Sequence, residues 1–224
     1  MKFKKNLNWF LRVWSLGAVA RLLFPTKVVG GELIPDGPFV LVVGPHKTEK
    51  ETVLVPAFLH RYEFHILAKD SLFRIPVFGW LFRNAGGIPV VRKEGRGADV
   101  IQPSVKELAK GFPVLIFPEG TRFEDDDDLH TGKTGAIRIA LLANVPIVLV
   151  GLRGMNTKRI RVKRSIHIGE PFYPHDELGL IQRTMVERLP EGRAARQLTD
   201  RMMQRLAVLS DTDYIGQDER GDRV

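Results

Sequence analysis

The chain has 224 residues, a length that one hydrophobic core can serve, since single cores remain comfortable up to about 250 residues. With 44% hydrophobic and 27% charged residues it is not a disordered chain, and the absence of cysteine excludes a disulfide framework, a thiolate nucleophile and cysteine-ligated zinc. A formal net charge of +8 favours polyanionic partners, which include nucleic acid, an anionic membrane surface and phosphorylated small molecules, without choosing among them.

The N-terminus carries lysines and then an apolar stretch, and no small-residue cleavage site closes it, so it reads as part of the mature protein and not as a cleaved signal. From Asn6 to Phe24 the run is rich in Leu, Val, Ala, Trp and Phe, while Lys5, Asn8, Arg12 and Ser15 recur at steps of three or four. That pattern predicts an amphipathic helix with one narrow polar stripe. Arg12 would cost about 2.5 to 3.5 kcal/mol at a bilayer centre, which favours a helix lying in the interface over one that spans it. Trp9 and Trp14 suit the headgroup boundary, and Lys2, Lys4 and Lys5 can meet anionic lipid. Packing of the same helix on the domain's own core is the ordinary alternative.

After Pro25 short apolar runs alternate with segments of helical character. Phe39–Gly44, Pro113–Pro118 and Val145–Leu152 read as buried strands, and Thr48–Tyr62, Gly97–Lys110 and Gly132–Ala143 as helices. A further strand pair is expected over Arg161–Ile168, followed by helices over Glu177–Arg188 and Glu191–Leu209. The alternation predicts a single α/β domain, a mostly parallel or mixed sheet flanked by helices. Its expected bounds are 28–209, between a membrane-association segment at 1–27 and a polar, disordered tail at 210–224.

The segment most suggestive of chemistry follows the first buried strand. In GPHKTEKE, His46 precedes Glu51 by five positions, an H-x-x-x-x-acid spacing. Five residues of continuous helix turn by about 500°, so both side chains can meet only if His46 sits in the turn before the helix. Glu51 would then accept a hydrogen bond from one ring nitrogen and stabilise the imidazolium formed when the other takes a proton. Thr48 and Glu51 also make a T-x-x-E capping box, so Glu51 either caps the helix, orients the histidine, or does both.

Three more blocks follow: GGIPVVR at Gly86–Arg92, FPEGTR at Phe117–Arg122 and VPIVLVGLRG at Val145–Gly154. Together with His46–Glu51 they stand in the order and approximate spacing of the four sequence blocks of the acylglycerol-phosphate acyltransferase family, which the chain resembles from about Leu41 to Gly154. The resemblance implies transfer of a fatty acyl group from coenzyme A or acyl carrier protein, as thioester co-substrate, to the free hydroxyl of a lysophospholipid such as 1-acylglycerol-3-phosphate. No metal or organic cofactor is implied. His46 would be the general base and Glu51 its partner. Lys69, Arg92 and Arg122 would hold the acceptor's phosphate, and Glu119, Gly120 and Thr121 would belong to the acceptor site. Glu119 also has an ordinary reading as a turn brace, flanked as it is by Pro118 and Gly120. The partners implied are membrane lipids and the acyl donor, at the cytoplasmic face of the membrane and without a spanning segment. This chain departs from the family pattern at Pro45, usually Asn, at Glu51, usually Asp, and at Val91, where an acid is common. These changes leave the reaction class intact and bear on the acceptor.

The run Glu124–Asp128 reads as a solvated loop, since five successive acids do not converge on a metal. His60, His65, His130, His167 and His175 lack ligand spacing, and Met202 and Met203 read as core filling. Two rival readings stand: the same chemistry on another lysophospholipid or a glycolipid, and a non-catalytic basic module for membrane or nucleic acid. The second is disfavoured because only 8% of residues are aromatic and two of the three tryptophans lie in the first helix.

Overall fold

A strand that is apolar at every position is stable only where both faces of its sheet are covered. Val40–Gly44 is such a strand, buried along its whole length. The computed structural model describes residues 18, 21–48, 50–76, 79, 86–90, 100–123, 128–155, 162–177 and 193–216, the side chains of Lys50, Lys69, Leu72 and Arg193 excepted. In it, Val40–Gly44 is β2, the middle strand of a seven-stranded sheet. The other strands of this sheet are β1 (Thr26–Val29), β3 (His65–Lys69), β4 (Gly87–Val90), β5 (Val114–Ile116), β7 (Ile147–Arg153) and β8 (Arg164–Ile168), in the order β1-β8-β7-β2-β5-β3-β4. Neighbours from β7 across to β4 are parallel. Among the described strands of this sheet the β7–β8 pairing alone is antiparallel, so β8 and its parallel neighbour β1 run against the rest. The sheet is therefore mixed and mostly parallel, as the alternation predicts.

Successive residues of β2 point to opposite faces. Val40 and Val42 join Val114, Ile116, Ile147 and Leu149 under the helices α2 (Ile101–Ala109), α3 (Gly135–Ala143) and α5 (Arg193–Ser210). Leu41 and Val43 join Leu115, Val148 and Val150 under α1 (Lys50–Phe58). Burying each such side chain contributes about 1.5–3 kcal/mol. Met202 and Met203 are fully buried in the first cluster, as core filling requires. Helix α5 lies close enough to the sheet that a Cβ on Gly151 would stand 2.3 Å from the Leu209 backbone carbon.

Three expectations change. Residues 164–168 form one strand and not a pair, because β8 finds its partners in β1 and β7. The tail does not begin at 210: Ser210 still belongs to α5, and Tyr214–Ile215 form β9, which pairs with β6 (Leu129–His130). β1 starts at Thr26, two residues before the expected domain start at 28. The expected helix over Glu177–Arg188 meets only a short α4 (Pro174–Glu177), its remainder lying outside the described residues. The expected N-terminal amphipathic helix also lies largely outside them, and no helix among the described residues is long and apolar enough to cross a membrane.

Candidate active site

Ligand sites in open α/β sheets gather where parallel strands end and their chains diverge into loops. Here β2 ends at Gly44 and leads to His46, the neighbouring β5 ends at Ile116 and leads to Glu119, and β3, beside β5, ends on Lys69. Arg92 follows the last residue of β4 by two positions and lies outside the described residues. Three segments distant in sequence, those of His46, Glu119 and Lys69, thus lie at adjacent strand ends.

His46 occupies the turn between β2 and α1, after a cis Gly44–Pro45 peptide bond. Its Nδ1 lies 3.2 Å from Glu51 Oε2. The same carboxylate accepts the Thr48 backbone N–H at 3.0 Å and 2.9 Å and the Thr48 hydroxyl at 2.8 Å. Glu51 thus caps the first turn of α1 and meets the histidine at once, with its side chain fully buried. A carboxylate on Nδ1 places the proton on that nitrogen and leaves Nε2 as the acceptor. One face of the imidazole is covered by Phe117, stacked at 3.9 Å between centroids and 17° between planes.

Behind the histidine lies Glu119. Its Oε2 accepts the His46 backbone N–H at 2.8 Å and its Oε1 accepts the His130 N–H at 3.0 Å. Burial pushes its carboxyl above the ordinary range, against the opposing pull of those two N–H groups and of the Lys47 charge. Only 2% exposed, Glu119 reaches the site through the backbone of its neighbours, which is the geometry of a brace. Lys47, 1% exposed, donates to the Asp128 carbonyl at 2.5 Å.

The FPEGTR segment turns sharply. The Gly120 N–H donates to the Phe117 carbonyl at 3.1 Å, and Gly120 holds a φ of 69°, a left-handed conformation that glycine adopts without strain. Thr121 and Arg122 emerge exposed, and the next residue, Phe123, donates its N–H to the His46 carbonyl at 3.3 Å. Arg122 is therefore anchored one residue from the turn that carries His46. Lys69 is placed only by its backbone, in register with Val90. Among the described residues no group of histidines and acids is arranged to hold a metal ion.

The structure brings together His46, Glu51, Glu119, Gly120, Thr121 and Arg122. Sequence reasoning missed Phe117, Lys47 and the loop at Asp128–His130. Phe117 had a signal, its place in the FPEGTR block, whereas the loop's part consists of backbone groups that no residue type announces.

A doubly covered sheet with its polar residues gathered at the carboxyl ends of parallel strands is the arrangement of an α/β enzyme. The acyltransferase family model matches residues 25–153, and the chain belongs to that family. It is similar to the 1-acyl-sn-glycerol-3-phosphate acyltransferase of Bacillus subtilis (strain 168), at 26% identity over 198 residues, covering 87% of this chain and 93% of that one. It is also similar to the chloroplastic 1-acyl-sn-glycerol-3-phosphate acyltransferase BAT2 of Brassica napus, at 29% identity over 157 residues; that match covers 68% of this chain but spans only 44% of the longer Brassica protein. Among solved structures, the 1-acyl-sn-glycerophosphate (LPA) acyltransferase PlsC from Thermotoga maritima has the same fold, with a TM-score of 0.64, 23% identity and coverage of 89% of this chain and 79% of that one.

Proposed function

We propose that this acyltransferase moves a fatty acyl group from a coenzyme A or acyl carrier protein thioester to the free hydroxyl of 1-acylglycerol-3-phosphate, giving phosphatidic acid, with His46 as general base. The observation that carries the reading is the His46–Glu51 contact in the turn before α1, with Nδ1 engaged by a buried carboxylate. The similarity to the Bacillus enzyme over nearly the whole of both chains supports the acceptor.

In this reading Nε2 takes the proton of the acceptor hydroxyl as its oxygen attacks the thioester carbonyl carbon. Glu51 stabilises the imidazolium that results. The tetrahedral oxyanion collapses, the carbon–sulfur bond breaks, and the imidazolium returns its proton to the leaving thiolate. The nucleophile belongs to the substrate, so no protein hydroxyl need be acylated, and the chemistry requires no metal or organic cofactor. Arg122, Arg92 and Lys69 hold the acceptor's phosphate, for which arginine's planar fork is suited. Gly120 and Thr121 line the turn beside it, and Glu119 shapes it from behind. In this reading the N-terminal segment associates with the cytoplasmic face of the membrane, where the lysolipid acceptor presents its head group, and nucleic acid is no partner.

Mass spectrometry of products from mixed acyl thioesters offered with mixed lysolipids, including neutral and sugar-bearing acceptors, tests donor and acceptor together. Phosphatidic acid as the main product supports the reading; acylation confined to acceptors without a phosphate contradicts it.

A further inference from the structure

The backbone of the loop 128–132 meets both residues that stand behind His46: the Asp128 carbonyl accepts Lys47, and the His130 N–H donates to Glu119. Glu119 spans from His130 N to His46 N with one rigid carboxylate. A displacement of the loop is therefore passed to His46 or strains a hydrogen bond to the buried Glu119 carboxylate.

The loop is in turn held from α5. Arg196 grips Asp200 with Nε at 3.1 Å and Nη2 at 2.7 Å, and its Nη1 donates to the Gly132 carbonyl at 2.7 Å. The Tyr214 hydroxyl donates to Asp200 Oδ1 at 2.6 Å. That fixes β9, whose pairing with β6 is completed by the Leu129 N–H on the Asp213 carbonyl at 2.8 Å and the Thr131 hydroxyl on the Ile215 carbonyl at 3.1 Å. Burial, with the nearby Asp200 carboxylate, raises the Tyr214 phenol well above its ordinary range, so it stays a donor across the physiological pH range. The two ends of the loop are thus tied to one helix, Gly132 through Arg196 and Leu129 through β9, Tyr214 and Asp200.

The structure assigns to Arg196, Asp200 and Tyr214 the role of a clamp that positions His46 from a distance, acting through the 128–132 loop and Glu119. They are positioning residues, since they do not touch the dyad. This inference rests on His46 being the base.

The test uses the full chain with Tyr214→Phe, which deletes one hydroxyl and keeps the ring, and Arg196→Gln as a second variant should the first fail to fold. A misplacement of the base by a fraction of an ångström should lower kcat about three- to tenfold while KM for either substrate stays within about twofold. The His46 amide, which donates to Glu119, should exchange its proton roughly five- to tenfold faster by NMR or mass-resolved hydrogen exchange. Because the clamp acts through Glu119, Tyr214→Phe added to Glu119→Gln should lower kcat by no more than about twofold beyond Glu119→Gln alone. Wild-type kcat with wild-type exchange at His46 in a folded variant would overturn the clamp, as would losses that multiply in the double variant. The exchange measurement needs no turnover, so it judges the clamp even if the acyltransfer reading fails; full activity in His46→Ala would sink that reading and leave the clamp to stand on exchange alone.

Discussion

Glu51 has two partners that want different things from it. Thr48 needs any acceptor oxygen at the start of α1, whereas an imidazolium at His46 needs a negative charge on Nδ1. Glu51→Gln separates the two, because the amide oxygen can still accept from Thr48 while the charge is gone and the amide nitrogen can misplace the histidine's proton. Turnover should fall about 100-fold or more, with the melting temperature lowered by only a few degrees; steady-state kinetics and a thermal melt check both. A variant that melts normally and turns over normally would reduce Glu51 to a cap. This pair was legible in the sequence because its partners are five residues apart and one local turn sets their geometry. Glu119 was legible only as belonging to the site. Its partners, the backbone N–H groups of His46 and His130, are 73 and 11 residues away and carry no side-chain signature. Lys47, whose ammonium is buried against a carbonyl 81 residues on, gave no signal at all.

Among elements, those that bury both faces announced themselves. β2 and β5 are uninterrupted apolar runs within the spans their composition predicts, and β7 is apolar as far as Leu152 and runs one residue beyond its predicted span, to Arg153. β1, β3 and β4 did not, since β1 and β3 mix polar and apolar types in four or five residues and β4 carries Gly87 and Pro89, which weaken a strand signal. β9 hid for the same reason in a polar segment, held there by β6 and Tyr214. Two predictions belong at this scale. Gly151→Ala places a methyl against the α5 backbone at Leu209, so helix or strand must shift; a loss of about 1–3 kcal/mol is expected in denaturant unfolding, without loss of fold class. At the opposite end of β3, His65 stacks on Phe112 and bonds Glu107 at 2.9 Å, yet burial holds its pKa below the ordinary value, more strongly than Glu107 raises it. The folded state thus prefers the neutral ring. Its contribution is complete above the unfolded value of about 6.5 and is lost as pH falls through the folded value. Melting temperature should therefore decline from pH 7 toward pH 5, and less steeply in His65→Gln; equal slopes would show that other groups set the acid limb.

For the whole molecule, fold class was legible because alternating strands and helices fix a sheet, and a sheet of parallel strands fixes where their ends converge; the reaction class was legible only through the resemblance of the four blocks to the acyltransferase family. His46, Glu119 and Lys69 sit at three neighbouring ends as that logic demands. The order of the strands was not legible, since it depends on which runs pair across more than a hundred residues, as β1 does with β8. The central claim is that acyl transfer depends on the imidazole of His46. Turnover of an acyl thioester with 1-acylglycerol-3-phosphate by His46→Ala, set beside the wild-type chain at equal folded concentration, measures it most directly. A fall of about 100- to 10,000-fold with lysolipid binding retained is the predicted result, and turnover within a few-fold of wild type would contradict it.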